Sequence, residues 1–341
     1  MKAATQRGAA LLVAMLTVTM VATLASAALW QQWRNVEVEA AERSRMQSSW
    51  ILTGALDWAR LILREDARSP IRADHLAEPW AVPLQEARLS TFLAADPTNN
   101  TAAATADTDA ENVFLSGQIT DLQSFLNVTS LIENSNESPS GVARFRRLFE
   151  LLGLPRQQLD KLVENLRFAQ DIKADNLSAG RASLLPQNVE QLVWLGLAPE
   201  TVQALAPYIT ILPRPTSVNL NTASAEVIYA AGIFDPAGTG MAMGMGISLA
   251  EAQRMVAERE RQHFAGAEDA ARLTSNPNAR FASNTVGVNS QYFEVRGRLR
   301  LNDLTMEQRS IVVRESNEVV TLQRENGVIH AGPPARPAPA R

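Results

Sequence analysis

The sequence contains no cysteine and only three histidines, His75, His263 and His330, in 341 residues. Without cysteine the protein has no disulfide framework, no thiol nucleophile and no cysteine-ligated metal site. The histidines are far apart in sequence and lack nearby triad companions, so each is interpreted as a surface or structural residue. The glycine- and methionine-rich stretch 235–246 lacks the Gly-Lys-Ser/Thr ending of a phosphate loop. We therefore do not expect an enzyme.

Charge is absent from residues 9–30, AALLVAMLTVTMVATLASAALW, whereas the residues before them include Lys2 and Arg7. About 20 apolar residues at 1.5 Å each cross the ~30 Å hydrocarbon core of a bilayer, so this run predicts one transmembrane helix. Basic residues in front of the run place the short N-terminus in the cytoplasm and the rest of the chain on the far side.

Three interpretations of this segment compete. Residues 25–27, Ala-Ser-Ala, offer the small-x-small site at which a secretory signal peptide is cleaved. A plain signal anchor would stay uncleaved, and nothing in the apolar run forbids it. A cut at Gly8, directly before the apolar run, would instead leave the anchor on the mature protein.

The residues after the run favour the third interpretation. No proline occurs between Gln31 and Asp66, and Gly54 is the only weak position there for a helix. Apolar residues recur at three- and four-residue steps, which makes a stripe along one side of a helix. The stripe consists of Ile51, Leu52, Ala55, Leu56, Trp58, Ala59, Ile62 and Leu63. The membrane run and the stripe therefore predict one continuous helix, which is the architecture of type IV pilins.

The head that follows has two parts, of which the first is rich in strands. Residues 292–301 alternate between two faces. The apolar face comprises Phe293, Val295, Leu299 and Leu301, and the other face comprises Glu294, Arg296, Arg298 and Arg300. This pattern is typical of a half-buried antiparallel strand with a wet, basic face. Further strands are predicted at 113–119, 309–314 and 318–323, and together they form a meander on the end of the long helix.

The second part is a helical insertion, roughly 140–285, that contains an internal repeat. The copies share the spacing from a glycine to two apolar residues: Gly153, Leu159 and Leu162; Gly196, Val202 and Leu205; and, more loosely, Gly246, Ala252 and Met255. Each copy predicts a helix, a turn that needs glycine at the helix C-terminus, and a second helix that closes on the first. The expected fold is therefore α+β, with a pilin-like long helix packed on an antiparallel sheet and an all-helical insertion of helix-hairpin-helix or SAM-like repeats.

Five short segments occur in a fixed order along the chain: RGAALLV at 7–13, EPWAVPL at 78–84, SGQITDLQSFLNV at 116–128, SVNLNTAS at 217–224 and SQYF at 290–293. In this order, from the N-terminus to about residue 325, the chain resembles the type II secretion minor pseudopilin K, also called general secretion pathway protein K. Each segment alone is a weak match, whereas the ordered set is specific.

The resemblance implies cleavage after Gly8 by the prepilin peptidase and N-methylation of the new terminal residue, Ala9. Most pseudopilins have a glutamate at the fifth residue after the cut, where it meets the N-terminal ammonium of a neighbouring subunit. Here that position is Val13. A carboxylate in lipid needs a partner, so the absence of this glutamate indicates a subunit with no neighbour above it. The resemblance implies such a position for the K subunit, at the tip of a filament. Alternatively, the register differs and Val13 merely faces lipid.

The implied function is that of a minor pseudopilin at the tip of the type II secretion pseudopilus. With minor pseudopilins I and J, and then other pseudopilins, it would initiate and cap the filament for export of folded proteins across the outer membrane. Its location would be the bacterial inner membrane, crossed once, with the head in the periplasm. The corresponding division is a prepilin leader 1–8, a transmembrane part 9–30, the periplasmic part of the helix 31–67, a pilin-like first part 68–139, an inserted helical domain 140–285, C-terminal strands 286–328 and a proline-rich tail 329–341.

Two alternative functions remain at this point. One is a membrane-anchored periplasmic adaptor that uses the same head for other partners. The other is a nucleic-acid-binding helix-hairpin-helix protein, because NLNTAS at 219–224 is similar to the entry of such modules. Phosphate binding would need basic residues around the turn, and 235–246 contains neither lysine nor arginine. The formal net charge of −4 points the same way, so nucleic acid is not an expected partner.

Calcium is the one cofactor that the sequence suggests. Asp107, Asp109 and Glu111 are closely spaced oxygen donors of the kind that calcium prefers. They do not form an EF-hand loop, because its central glycine and terminal glutamate are missing. The family resemblance also implies calcium in the head. The alternative is a linker rich in alanine and threonine.

Overall fold

The computed structural model describes residues 7–69, 73–89, 91, 113–170, 183–235, 246–275, 280–282, 284–301, 304–316 and 318–327. The helices are α1 (Arg7–Asp66), α2 (Pro139–Leu151), α3 (Arg156–Gln170), α4 (Pro199–Leu205), α5 (Ala225–Ala231), α6 (Leu249–Arg259) and α7 (Ala267–Ala271). The strands are β1 (Leu84–Arg88), β2 (Val113–Asp121), β3 (Leu126–Asn127), β4 (Ile132–Glu133), β5 (Asn136–Glu137), β6 (Ile209–Thr210), β7 (Val218–Asn219), β8 (Val286–Gly287), β9 (Tyr292–Leu301), β10 (Leu304–Glu315) and β11 (Glu318–Gly327).

Helix α1 is the longest element, with 60 residues and therefore a length of about 90 Å. It contains an 18-residue window of mean hydropathy 2.1, so by length and composition it can cross a membrane. Residues 9–43 are exposed all around the helix, and Ser48 is the first buried side chain. The head therefore packs only on the last third of α1, as a continuous helix from membrane run to head predicts.

Five strands form one antiparallel sheet in the order β1-β2-β9-β10-β11. Alternating apolar residues give the sheet one face that packs on α1. Two clusters fill this interface: Leu56, Ala59, Leu63, Trp80, Phe293, Val295, Val312 and Val319, and Leu52, Val113, Leu115, Leu299, Leu301 and Met306. Burial of each large side chain stabilises the head by about 1.5–3 kcal/mol. The structure thus confirms the predicted α+β class and its pilin-like half.

Two details of this half differ from the prediction. Trp58 stays 44% exposed at the border of the apolar stripe, whereas Leu56 and Ala59 are buried. Glu294 does not lie on a wet face of β9, because its side chain is 3% exposed and forms ion pairs at 2.6 Å with Arg296 and Arg309. Two guanidinium groups are needed there because an unpaired buried carboxylate would be costly.

The helical part has its own core, which includes Leu126, Leu131, Phe145, Leu148, Phe149, Leu159, Leu162, Leu192, Leu205, Ile228, Met255 and Phe264. Gly153 ends the α2 segment with φ +66°, and Gly196 ends a 3-10 helix (Val189–Leu195) with φ +92°. Residues with a β-carbon rarely adopt such angles, so the two predicted glycine turns are confirmed. The looser third copy is built differently, because Gly246 forms a β-bridge with Ile233.

A small cluster joins the helical part to the face of the sheet opposite α1. It consists of Leu122, Phe125, Leu212, Tyr292, Ile311 and Val313. Beside it, short parallel pairings of β3 with β6 and of β7 with β8 connect the two parts through the backbone. The helical part is therefore attached where α1, β2 and β10 end, at the end of the rod away from the membrane run.

Candidate functional site: the anchor helix and the head junction

The residues predicted for processing lie in the first turns of α1. The helix begins at Arg7, so the backbone of Gly8 and Ala9 is already helical. Val13 follows Ala9 by four residues, about 6 Å along the axis and on the same side of the helix. Its side chain is 62% exposed. An apolar group therefore occupies the position at which the resemblance places a glutamate in most pseudopilins.

At the other end of α1, buried and partly buried polar groups connect the helix to the sheet and to the helical part. We call this set the head junction: Asp66, Asp74, Asp121, Asn219, Thr222, Ser290 and Arg314. Arg314 lies on β10 and donates from Nη1 to Asp66 Oδ2 at 2.7 Å. Its Nη2 donates to Asp74 Oδ1 and Oδ2 at 2.5 and 2.7 Å and to the Ser290 carbonyl at 2.8 Å. One guanidinium thus connects the end of α1, the loop after it and the segment before β9.

Asp121, the last residue of β2, connects the sheet to the helical part. Its Oδ2 accepts hydrogen bonds from Asn219 Nδ2 at 3.1 Å, Thr222 Oγ1 at 2.5 Å and Ser290 Oγ at 2.6 Å. Its Oδ1 accepts the backbone N–H of Gln123 at 2.7 Å. Asn219 also donates to the Asp74 carbonyl at 3.1 Å. Each of these polar groups is buried and has a partner, so the junction holds one defined geometry.

The head junction contains more negative than positive charge. Burial raises the pKa of Asp121 to about 6, against hydrogen bonds from Ser290 and Thr222 that lower it. Burial also raises the pKa values of Asp66 and Asp74, although Arg314 acts to lower both. Glu78 raises the pKa of Asp66 further. At neutral pH one arginine therefore faces several carboxylates in a largely dry site.

Three carboxylates at this place come close enough to suggest a metal ion. Oxygens of Asp66, Asp74 and Glu78 lie within 4.8 Å of one another. Arg314 already contacts the first two, and Glu78 Oε2 accepts the His75 backbone N–H at 2.9 Å and Trp80 Nε1–H at 2.7 Å. Since the guanidinium supplies the positive charge, we assign an ion-pair junction here. The predicted calcium ligands Asp107, Asp109 and Glu111 lie outside the described residues.

Two of the three histidines meet beside the junction. The rings of His75 and His263 stack with centroids 4.1 Å apart and an interplanar angle of 14°. Burial, and next the neighbouring His263, lower the pKa of His75. Sequence separation gave no signal of this contact, which joins the loop after α1 to the segment after α6. His330 lies outside the described residues.

The segments that resemble a helix-hairpin-helix module make hydrogen bonds within the chain. In the glycine turns, Gly153 N–H bonds to Glu150 O at 3.2 Å and Gly196 N–H to Val193 O at 3.1 Å. Within NLNTAS, Asn219 and Thr222 belong to the head junction, and Arg259 donates to the carbonyls of residues 220 and 223 at 2.7 and 2.5 Å. These groups are already engaged within the chain, so the turns give no support to phosphate binding.

Four of the five segments that carry the family resemblance contribute side chains at or beside the head junction. SGQITDLQSFLNV supplies Asp121, SVNLNTAS supplies Asn219, SQYF supplies Ser290 and EPWAVPL supplies Glu78. Sequence reasoning used these segments for recognition but did not see that they meet. The signal that could have revealed it is that each of these four segments has a polar side chain among apolar ones. Asp66, Asp74 and Arg314 lie outside these segments.

Together, the long N-terminal helix, the antiparallel sheet and the helical insertion define a pilin-like subunit. A family model described as type II secretion system protein K matches residues 124–214. Type II secretion system protein K of Pseudomonas aeruginosa is 23% identical over 320 residues, which cover 87% of this chain and 86% of that protein. The Pectobacterium carotovorum protein of the same name is 24% identical over 348 residues, 94% of this chain and 97% of that protein. Along most of its length this chain is therefore similar to type II secretion system protein K.

A solved structure supports the fold. A chain of the crystal structure of the GspK-GspI-GspJ complex from the enterotoxigenic Escherichia coli type 2 secretion system matches with a TM-score of 0.55 and 17% identity. The match covers 84% of this chain and 98% of that chain. The fold of this chain is therefore shared with that chain over most of its length.

Proposed function

We propose that this minor pseudopilin forms the tip of a type II secretion pseudopilus, where it initiates and caps the filament. The observation that carries the proposal is the attachment of the helical part at the far end of α1, fixed by Arg314 and Asp121. A second subunit stacked above would have to occupy the volume of that part. Capping then follows from the shape of the head.

The proposal includes anchoring by residues 9–30 in the inner membrane, with the head in the periplasm. Prepilin peptidase would cleave after Gly8, and Ala9 would be methylated. Val13 supports this placement, since a tip subunit needs no carboxylate for a neighbour above. Mass spectrometry of the mature N-terminus tests this step. A start at methylated Ala9 is expected, whereas a start after Ala27 would refute the anchor.

Minor pseudopilins I and J are the proposed partners. Support comes from the protein K relatives and from the structural match to a chain of a complex with those components. The exposed residues 35–43 of α1 leave a bare helix on which other long helices can pack. Affinity purification of the tagged full chain from its own host is expected to recover both partners. Recovery of periplasmic proteins without any pseudopilin would instead favour the adaptor function.

Deletion of residues 140–285 tests capping itself. When the major subunit is overproduced, electron microscopy is expected to show longer or unregulated filaments with the deleted chain than with the complete one. Co-purification with the two partners serves as the control that the remaining pilin half is folded. Unchanged filament lengths with an intact complex would refute capping by the helical part.

We further propose that calcium stabilises the head through Asp107, Asp109 and Glu111. Closely spaced carboxylates suit calcium, and a bound ion would raise the thermal midpoint by mass action. The midpoint is expected to be higher in excess calcium than in chelator. A triple variant with Asp107→Asn, Asp109→Asn and Glu111→Gln should lose that difference. Equal midpoints of the native chain in both conditions would exclude a structural ion.

A further inference from the structure

The end of the apolar run on α1 is marked by two tryptophans and an arginine. Trp30 and Trp33 precede Arg34, and residues 9–33 carry no charge. The two tryptophans are 61% and 60% exposed, and the Arg34 guanidinium lies 5.2 Å from the centre of the Trp30 ring. At 3.6 residues per turn the three side chains leave the helix within about 100° of one another. They therefore form one amphipathic patch on one side of α1.

The apolar length in front of this patch matches a bilayer. Residues 9–29 extend about 31 Å as a helix, against about 30 Å of hydrocarbon. The hydroxyls of Thr17, Thr19 and Thr23 donate to backbone carbonyls three residues earlier, at 2.9, 2.9 and 2.8 Å, so these groups need no water. After the patch the character of the helix changes, since Glu37 and Glu39 are exposed and too costly to enter lipid.

We propose that Trp30, Trp33 and Arg34 form a lipid-interface site that binds the phospholipid headgroup layer of the leaflet facing the head. The site rests on the membrane anchor of the proposed function. Indole rings prefer the boundary between hydrocarbon and water, because one edge is apolar and the N–H needs a polar partner. The Arg34 guanidinium, placed over Trp30, donates to the lipid phosphate in the bidentate geometry that favours arginine over lysine.

This site fixes the height of the head above the membrane. Ser48, the first buried side chain of α1, follows Arg34 by about 21 Å of helix. The head therefore stands clear of the lipid surface, and the exposed Val36, Val38 and Met46 on the intervening helix remain accessible to partner helices. Withdrawal of α1 into a filament has to remove the two indoles from their preferred layer.

Lipid quenching of tryptophan emission tests the site with the full chain. The protein is reconstituted in vesicles of phosphatidylethanolamine and phosphatidylglycerol that contain phosphatidylcholine brominated either near the glycerol or near the chain end. The Trp30→Phe/Trp33→Phe double variant is compared with Trp50→Phe. Trp50 is 76% exposed and lies about 30 Å beyond Trp30 on the same helix, so it is a matched control.

We expect stronger quenching by the shallow bromines than by the deep ones. The emission lost to quenching should fall at least threefold in the double variant and stay unchanged in Trp50→Phe. When vesicle flotation shows that the chain is anchored, two results would overturn the interface site. One is stronger quenching by the deep bromines, and the other is quenching that persists in the double variant. A native chain that does not float with the vesicles would refute the anchor itself, and with it the site.

Discussion

Replacement of Arg314 by methionine tests whether the head junction is an ion pair on which the fold depends. The guanidinium bonds to Asp66 and Asp74 and lies 5.1 Å from the centre of the Phe293 ring. Methionine keeps an apolar stem over that ring but removes the positive charge. Both carboxylates then remain buried without a cation. Breaking a buried ion pair from one side costs about 3–5 kcal/mol, and this is the loss in unfolding free energy that we expect at pH 7.5.

The loss should depend on pH in a direction that the structure defines. The folded-state pKa values of Asp66 and Asp74 are raised above the ordinary 3.8. For acids with raised pKa values, the stabilising contribution is present below 3.8 and is lost as pH rises through the folded pKa. Without Arg314 these pKa values rise further, so protonation neutralises the unpaired carboxylates more readily at pH 5 than at pH 7.5. The destabilisation should therefore be at least ~1 kcal/mol smaller at pH 5 than at pH 7.5.

Urea unfolding of the full chain in detergent micelles measures this change, because Trp80 is buried beside Phe293 and reports the loss of the core. Arg324→Met is the matched control: its Nη1 makes a single 3.4 Å contact with Thr53 at an exposed position, so a change below ~0.5 kcal/mol is expected. Adding Asp74→Asn to Arg314→Met should recover part of the stability at pH 7.5. An equal loss at both pH values would refute the electrostatic account.

Two further substitutions probe packing and titration. Gly141→Ala should lower the unfolding free energy by about 3 kcal/mol or more, because a β-carbon there would lie 2.0 Å from the Ser130 carbonyl oxygen. As the control, Gly54→Ala places a β-carbon that meets no atom within 4 Å and should stabilise α1 by about 0.5–1 kcal/mol. Equal urea midpoints for the two variants would contradict the packing around Gly141. Asp121, with its pKa raised from 3.8 to about 6, contributes stability that is lost as pH rises through that value. Native protein should therefore lose about 1 kcal/mol between pH 5 and pH 7 that Asp121→Asn does not lose; parallel pH profiles of the two proteins would show that Asp121 does not titrate there.

The long helix and the strands were predictable because each has a simple period. Alternation at two residues specifies β9, and recurrence at three and four residues specifies the buried stripe with Leu52 and Leu56. The turns at Gly153 and Gly196 were predictable for a different reason, since only glycine readily adopts the positive φ that they require. All of these features are local in sequence.

The features that the sequence did not reveal depend on contacts between distant segments. Glu294 looked like a surface residue because its place in the alternation is polar, yet Arg309 on the neighbouring strand covers it. Arg314 was only the last residue of the predicted strand 309–314. One of its two partners, Asp74, is 240 residues earlier in the chain, and no periodicity records such a pairing. The stack of His75 on His263 is missed for the same reason.

The position of the head junction explains why four of its polar residues, Asp121, Asn219, Thr222 and Ser290, lie in the segments that carry the family resemblance. The apolar contact between the sheet and the helical part is small and has no directional preference, so it would allow the helical part to turn on the end of the rod. Directional bonds from Asn219 and Thr222 to one carboxylate of Asp121 restrict that rotation. A cap at a filament tip has to stand in one fixed orientation to block the next subunit. The buried carboxylates therefore cost stability at neutral pH and provide a rigid angle between rod and cap.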